Sequence, residues 1–365
     1  MIIRFLWYNE VEENPLTSPH EAPQNPPEQP TPPATPKTPR TLQEAIVAFS
    51  NPDVALKHAI ALRWPKGISC PRCGSARYSF LSTRRMWKCL DCKKQFSVKV
   101  GTIFEDSPIG LDKWLSCIWL IASAKNGVSS YEVHRALGVT QKTAWFMLHR
   151  VRVAMEQGSI EKAEMRKLAG MIEADETYIG GLEKKKHKDK KLNAGRGTVG
   201  KSAVTGLLER GTGEGFSTVR VKKINKADRK TLHGAIKAQV EPGSLLFTDA
   251  WPAYRGLHPD YLHQFVDHAI RYVAGRVHTN GLENFWALTR RCIKGTYVHC
   301  DPVHLDKYLD EEVFRFNNRD TSDGGRFTLA GLAISGKRLT YEELTHGHLT
   351  LYGKQEGAEP KGAAE

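Results

Sequence analysis

The alternation of apolar and polar positions divides the chain into a helical first half and a second half that mixes strands with helices. Apolar residues recur at helical spacing over 42–64, 111–125 and 129–157. Thr41-Leu-Gln-Glu44 has the form of a capping box at the start of the first helix. From residue 168 onward, short apolar runs alternate with amphipathic stretches, which is typical of a mixed sheet with helices on its faces.

The second half has the predicted order β-β-β-α-β-α-β-α. Its strands are expected over 168–179, 203–208, 216–221, 245–247 and 269–275. Helices are expected over 228–240, from Asn280 onward and over 301–318. The fold class is therefore multidomain, α+β and α/β, with a mixed-sheet domain at its centre.

Three acidic residues stand on separate elements of this sheet domain. Asp175 lies within the first strand, Asp249 follows the fourth strand, and Glu283 is at the start of the long helix. Glu173, Asp175 and Thr177 share one face of their strand by two-residue alternation. Carboxylates at the edge of a core need a cationic partner, and a pair of divalent metal ions supplies one in phosphoryl transfer. The pattern favours a two-metal site.

Two C-x-x-C pairs predict a metal site in the first half. Cys70 and Cys73 are separated from Cys89 and Cys92 by fifteen residues, which lies within the spacing of four-cysteine zinc sites. Four thiolates form a closed tetrahedral set, so the zinc would be structural. Aromatic and β-branched residues around the pairs predict the short strands of a zinc ribbon over 67–100. Chance pairing of four buried cysteines is the alternative.

The region 101–160 has the pattern of a helix-turn-helix, with Ser129 or Ser130 and Thr140 as N-caps and Gly138 in the turn. Gln141, Lys142 and Thr143 would then begin the recognition helix and meet the edges of DNA bases. A plain helical hairpin would have the same pattern.

Charge supports a polyanionic partner. Lys and Arg number 53 against 40 Asp and Glu, and the net charge is +13. Eight Lys and Arg fall between residues 184 and 201, including Lys184, Lys185, Lys186 and Arg196. This insertion, 182–202, would neutralise phosphates, although a solvated loop is the alternative.

The remaining segments complete the domain organisation. Residues 15–39 carry ten prolines, so 1–40 is expected to be a disordered tail; 41–66 should form N-terminal helices, and 321–365 a C-terminal tail. No run of about 18 apolar residues predicts a membrane helix. The paired cysteines and the lack of an export signal favour a cytoplasmic protein.

Six motifs together resemble those of bacterial insertion-sequence DDE transposases of the zinc-ribbon-bearing group, insertion-sequence family fifteen-ninety-five. They are C-P-R-C-G, F-S-V-K-V-G-T-I-F-E-D-S, D-E-T-Y-I-G-G, A-G-R-G-T-V-G-K, T-D-A-W-P-A-Y and H-T-N-G-L-E-N-F-W. The resemblance extends from about residue 42 to 320. It implies a ribonuclease-H-like catalytic domain over 168–320.

The resemblance also implies a mechanism and site residues. Asp175, Asp249 and Glu283 would bind two Mg²⁺ or Mn²⁺, Asn280 would assist, and Arg290 would hold DNA near the site. Some members of the group have Asn at the third acidic position, which keeps Asn280 open as an alternative to Glu283. Activated water would cut the terminal inverted repeats, and the freed 3′-OH would attack target DNA. A homodimer or larger assembly on double-stranded DNA, in the nucleoid, is expected. The alternative is a DNA-binding regulator derived from an inactive transposase.

Overall fold

The computed structural model describes residues 36–156, 166–180, 198, 200–213, 215–266 and 277–345. Most of the Pro-rich segment lies outside these ranges, as do Lys184, Lys185, Lys186 and Arg196 of the basic insertion and the strand predicted over 269–275. Within the described ranges, no helix combines the length and hydrophobicity needed to cross a membrane.

Five helices and a small sheet form the described residues of the first half. They are α1 (Leu42–Ser50), α2 (Pro52–Arg63), β1 (Tyr78–Leu81), β2 (Met86–Cys89), β3 (Gln95–Phe96), α3 (Leu111–Ser123), α4 (Ser130–Leu137) and α5 (Gln141–Met155). Thr41 caps α1 as predicted, because its hydroxyl accepts the N–H of Glu44. The three strands form an antiparallel sheet in the order β1-β2-β3, with Trp87 stacked on Phe96 in its core.

The second half contains a five-stranded mixed sheet with helices. Its elements are β4 (Met171–Gly180), β5 (Lys201–Glu209), β6 (Thr218–Ile224), α6 (Arg229–Gln239), β7 (Leu245–Asp249), β8 (Leu262–Val266), α7 (Asn280–Gly295), α8 (Leu305–Asn317), α9 (Asp323–Leu332) and α10 (Tyr341–Thr345). The strand order is β6-β5-β4-β7-β8. On one side of β4, β5 pairs antiparallel with β4 and β6 pairs antiparallel with β5. On the other side, β7 is parallel to β4 and β8 is parallel to β7. The predicted multidomain fold class is confirmed, and Asp175 lies on the central strand.

The structure has one strand that the sequence did not predict. It is Leu262–Val266, and it pairs with β7 at the edge of the described sheet. Its side chains are mostly exposed, and His263 and Gln264 interrupt the apolar run. An edge strand with polar positions gives a weak sequence signal, because only one of its neighbours is a strand.

Two helices, α9 (Asp323–Leu332) and α10 (Tyr341–Thr345), lie within the predicted C-terminal tail, 321–365. Phe327 on α9 packs against Phe49 of α1 and Trp119 of α3, with ring centroids 5.4 and 5.6 Å apart. Ala330 and Ile334 are buried in the same core. The chain therefore returns to the N-terminal helices after the sheet domain. The sequence did not predict α9, because the segment is rich in glycine and its apolar face has a packing partner only in the folded chain.

Candidate functional site

Asp175 occupies the middle of the central strand, and the other two predicted acids act on it electrostatically. The pKa of Asp175 is raised to about 6, chiefly by burial, with the charges of Asp249 and Glu283 contributing to the rise. The indole N–H of Trp286 donates to Asp175 Oδ2 at 3.1 Å and opposes this rise. The structure thus brings together carboxylates from β4, β7 and α7 that are far apart in sequence.

Asp249 ends β7 and is fixed by the turn that follows it. Its Oδ1 accepts the N–H of Trp251 at 3.1 Å. The turn continues to Tyr254, whose buried hydroxyl donates to Glu176 Oε2 on β4 at 2.7 Å. This turn therefore connects the strand of Asp249 to the strand of Asp175.

Glu176 is a fourth acid at the site that the sequence reasoning missed. The pKa of Glu176 is raised to about 7, chiefly by burial and also by the charges of Asp175 and Asp249. The hydrogen bond from the hydroxyl of Tyr254 opposes this rise. Its position directly after Asp175 was the only signal in the sequence. Since alternation assigns it to the opposite face of the strand, that signal pointed away from the site.

Helix α7 runs along β4 and contacts it at three successive levels. Glu173 Oε2 accepts the N–H of Leu282 at 2.9 Å, Asp175 accepts from Trp286, and Thr177 Oγ1 accepts from Arg290. Each step is two residues along the strand, about 6.8 Å. It is also four residues along the helix, about 6 Å. The near match of these repeats keeps α7 aligned along β4 over all three contacts, with Glu283 one residue beyond the Glu173–Leu282 contact.

Gly206 on β5 makes the close approach of α7 possible. It is the residue paired with Asp175 in the β4–β5 register. A Cβ atom there would lie 2.6 Å from Cζ2 of Trp286, closer than packed carbon atoms allow. The absence of a side chain opposite Asp175 is what lets the indole reach its carboxylate.

Asn280 and Arg290, the predicted helpers, both lie on α7. Asn280 is the first residue of the helix and is exposed. Arg290 donates to Thr177, so its guanidinium lies on the Asp175 face of β4. Glu283 Oε1 accepts the hydroxyl of Thr279 at 3.2 Å. All five predicted catalytic residues therefore belong to β4, the end of β7 or α7.

The donor set of the three acids suits hard divalent cations, because Mg²⁺ and Mn²⁺ prefer carboxylate oxygens. In the described part of the chain, only the cysteine cluster groups three or more His, Cys, Asp or Glu ligand atoms within 4.8 Å of one another. The three carboxylates are thus spread more widely.

Replacing Trp286 by Phe should weaken divalent-ion binding about tenfold, as losing an outer-shell partner does. The change keeps an aromatic ring but removes the donor to Asp175. Isothermal titration with Mn²⁺ measures the effect. Trp119→Phe, in the N-terminal core, is the matched control, and equal Mn²⁺ affinity in both variants would contradict the role of Trp286.

The four predicted zinc ligands come together at the base of the ribbon. Cys70 and Cys92 have sulfurs 3.7 Å apart, and Cys73 and Cys89 have sulfurs 3.6 Å apart. A tetrahedron with Zn–S bonds of about 2.3 Å has sulfur–sulfur edges of about 3.8 Å, so the cluster fits structural zinc. The backbone N–H of Cys92 lowers the pKa of the Cys89 thiol to about 7, which favours the thiolate that zinc binds.

Cys89→Ser should lower the affinity for zinc by more than about 100-fold, beyond the loss typical of an outer-shell partner. Zinc content after dialysis against a chelator, measured by mass spectrometry, tests this. Cys300→Ser serves as the control, because Cys300 lies in the sheet domain, away from the cluster. Full zinc retention in Cys89→Ser would exclude Cys89 as a ligand.

The two helices of the predicted helix-turn-helix are present as α4 and α5. Ser129 and Glu132 form a capping box at α4, and Thr140 caps α5 by accepting the N–H of Thr143. Gly138 adopts the left-handed conformation in the turn, with φ of 58°.

The first turn of α5 makes several contacts within the protein. Gln141 donates to the hydroxyl of Ser130 at 2.8 Å, and the hydroxyl of Thr143 lies 2.8 Å from that of Thr140. Lys142 is exposed, with its ammonium 4.5 Å from the ring centroid of Tyr341 in α10. The C-terminal segment therefore contributes to the surface on which the predicted base-contacting residues lie.

Two models of known protein families match this chain. Residues 167–317 match the ISXO2-like transposase domain, and residues 50–95 match the transposase zinc-ribbon domain. The chain carries an insertion-sequence transposase domain with its zinc ribbon. This confirms the resemblance drawn from the motifs.

The transposase domain match covers β4 to α8, and so includes Asp175, Asp249 and Glu283. A relative in Halobacterium salinarum, described as an uncharacterized protein in transposable element ISH50, is 27% identical over 244 residues. The match covers 63% of this chain and 79% of the relative.

Proposed function

We propose that this transposase cleaves DNA at the terminal inverted repeats of its insertion sequence and transfers the freed strand to target DNA. The observation that supports this most is that Asp249, at the end of β7, and Glu283, in the first turn of α7, both act electrostatically on Asp175 of the central strand, against which α7 packs through Trp286. Two Mg²⁺ or Mn²⁺ ions are the proposed cofactors.

The residues of the site would orient the reactants and balance charge. Asp175, Asp249 and Glu283 would hold the divalent ions, which would supply activation of the attacking oxygen and charge stabilisation of the leaving oxygen in phosphoryl transfer. Asn280, exposed beside Glu283, is a donor for a non-bridging phosphate oxygen. Arg290 holds the DNA backbone near the site, since a guanidinium pairs well with phosphate. Catalysis then rests on positioning and charge neutralisation.

The DNA-binding surfaces are also proposals. Gln141, Lys142 and Thr143 would read the end sequence, and the basic insertion with Lys184, Lys185, Lys186 and Arg196 would contact phosphates. The zinc ribbon adds exposed cations, among them Arg72, Lys88 and Lys94. Both ends must be cut together, so a dimer or larger assembly is proposed. Acting on chromosomal DNA, it would work at the nucleoid of the cytoplasm.

A cleavage assay tests the proposal. The purified chain is incubated with a labelled duplex that carries the DNA flanking its gene, with Mg²⁺, Mn²⁺, Ca²⁺ or a chelator. Cleavage at the element end, leaving a 3′-OH, is expected with Mg²⁺ and Mn²⁺ only. Sequence-specific binding without cleavage in any metal would instead favour a DNA-binding regulator derived from an inactive transposase.

A further inference from the structure

Helix α7 begins without a capping side chain of its own. Its N-cap residue, Thr279, makes no side-chain bond to the N–H groups of the first turn. Such groups need an acceptor from elsewhere when the helix end is covered by protein. The N–H of Leu282 finds one in Glu173 Oε2 at 2.9 Å, from the central strand 109 residues earlier. The side chain of Glu173 is 1% exposed.

Arg210 completes this connection from the other side of the helix start. Its Nε donates to Glu173 Oε1 at 2.7 Å, and its Nη2 donates to the carbonyl of His278 at 2.7 Å. The pair is formally neutral, as a buried carboxylate requires. Glu173 and Arg210 together therefore bind His278, just before α7, and Leu282, in its first turn.

Gly281 leaves room for this arrangement. A Cβ atom at Gly281 would lie 2.8 Å from Glu173 Oε2 and 3.1 Å from Cδ1 of Leu208. A side chain there would push the carboxylate away from Leu282. The contact thus depends on a glycine in the helix, where alanine would otherwise be the better residue.

We infer that Glu173, paired with Arg210, is a positioning residue for the divalent-ion site. It lies two residues before Asp175 on the same strand face and binds the N–H next to Glu283 in the helix. By fixing the first turn of α7, Glu173 fixes the distance between the carboxylates of Asp175 and Glu283. Partners behind metal ligands commonly set affinity in this way. The inference rests on the proposed function of the three acids.

The test uses the full chain and the variant Glu173→Gln, which keeps an oxygen acceptor but loses the charge that pairs with Arg210. Mn²⁺ binding by calorimetry should weaken about tenfold, and cleavage at saturating Mn²⁺ should slow by about 10- to 100-fold. End binding should be unchanged. Hydrogen exchange of the amides around Leu282 should become faster.

Glu209→Gln is the matched control. Glu209 ends the neighbouring strand and likewise binds one backbone N–H, of Ala169, and one arginine, Arg166. Neither of these residues lies on an element that carries a predicted catalytic acid, so Mn²⁺ affinity should remain that of the wild type. If both variants lose affinity equally, Glu173 has only a structural role, and the inference is overturned.

Gly281→Ala provides a second route, since it displaces the Glu173 carboxylate without changing it. It should weaken Mn²⁺ binding as Glu173→Gln does, even if it raises helix stability.

Asp249→Ala separates this inference from the proposed function. If Asp249→Ala binds Mn²⁺ like the wild type, the proposed site is wrong and the inference fails with it. If Asp249→Ala loses Mn²⁺ while Glu173→Gln and Gly281→Ala do not, only the inference fails.

Discussion

Asp249→Ala is expected to reduce strand cleavage by at least about 10³-fold, the scale seen when a group that stabilises transition-state charge is removed. Its carboxylate acts on both Asp175 and Glu176. Removing it takes away a proposed metal ligand and also relieves repulsion among half-buried acids. Thermal stability should therefore be kept or raised, as is common when strained active sites are neutralised. Single-turnover cleavage and thermal unfolding measure the two effects.

Asp260→Ala controls for the loss of a carboxylate from the same domain. Asp260 forms an exposed ion pair with Lys237 at 2.7 Å, and its loss should leave cleavage unchanged. Glu283→Gln and Asn280→Ala then distinguish the two candidates for the third ligand. We expect Glu283→Gln to match Asp249→Ala, and Asn280→Ala to retain most activity. Normal cleavage by Asp249→Ala would refute the assignment of the site.

Glu311→Gln is expected to destabilise the protein by about 3–5 kcal/mol, because it removes the charge that pairs with the buried Arg152. Glu311 on α8 accepts from Arg152 Nε at 2.7 Å, and the two side chains are 0% and 1% exposed. Although burial opposes the charged form, Arg315 and Arg152 lower the pKa of Glu311. Chemical denaturation followed by tryptophan fluorescence measures the free energy of unfolding.

Asp106→Asn is the control for this charge deletion. The ion pair of Asp106 with Arg338 is 2.6 Å long but about half exposed, with side-chain exposures of 66% and 54%. Its loss should cost less than about 1 kcal/mol. Exchanging both buried partners, in Arg152→Met with Glu311→Leu, should recover much of the lost stability. An effect of Glu311→Gln as small as that of Asp106→Asn would contradict the argument.

The Arg152–Glu311 pair joins the predicted recognition helix to the sheet domain. Arg152 lies near the end of α5, with its guanidinium 4.0 Å from the ring centroid of Tyr308 on α8. Because both elements are buried at this contact, α5 and α8 are held in one fixed arrangement. DNA held by the first turn of α5 would thus have a defined position relative to the three acids.

Local sequence patterns predicted the features whose physics is local. The spacing of Cys70, Cys73, Cys89 and Cys92 is sufficient for a zinc cluster, since each pair lies on one tight turn. A helix cap such as Thr140 accepts a backbone N–H only three residues away, so the local sequence also predicted the caps. The alternation along 173–177 correctly put Glu173 on the face of Asp175.

Long-range partners could not be predicted in the same way. Nothing near Glu173 indicates that it binds the N–H of Leu282, and nothing near Glu176 indicates Tyr254. The helix at 323–332 was missed because its apolar face is completed by Phe49 and Trp119, far away in sequence. Such contacts depend on the path of the whole chain.

The sequence by itself determined the four-cysteine cluster, the helix-turn-helix pattern and the transposase resemblance, and it predicted the three acids, because residue type and short spacing encode these features. Only the tertiary structure decided that Asp249 and Glu283 act on Asp175, that α7 is fixed to β4 through Glu173, and that α9 packs against α1 and α3. Those outcomes follow from burial and pairing between segments that are far apart in the sequence, which no local pattern specifies.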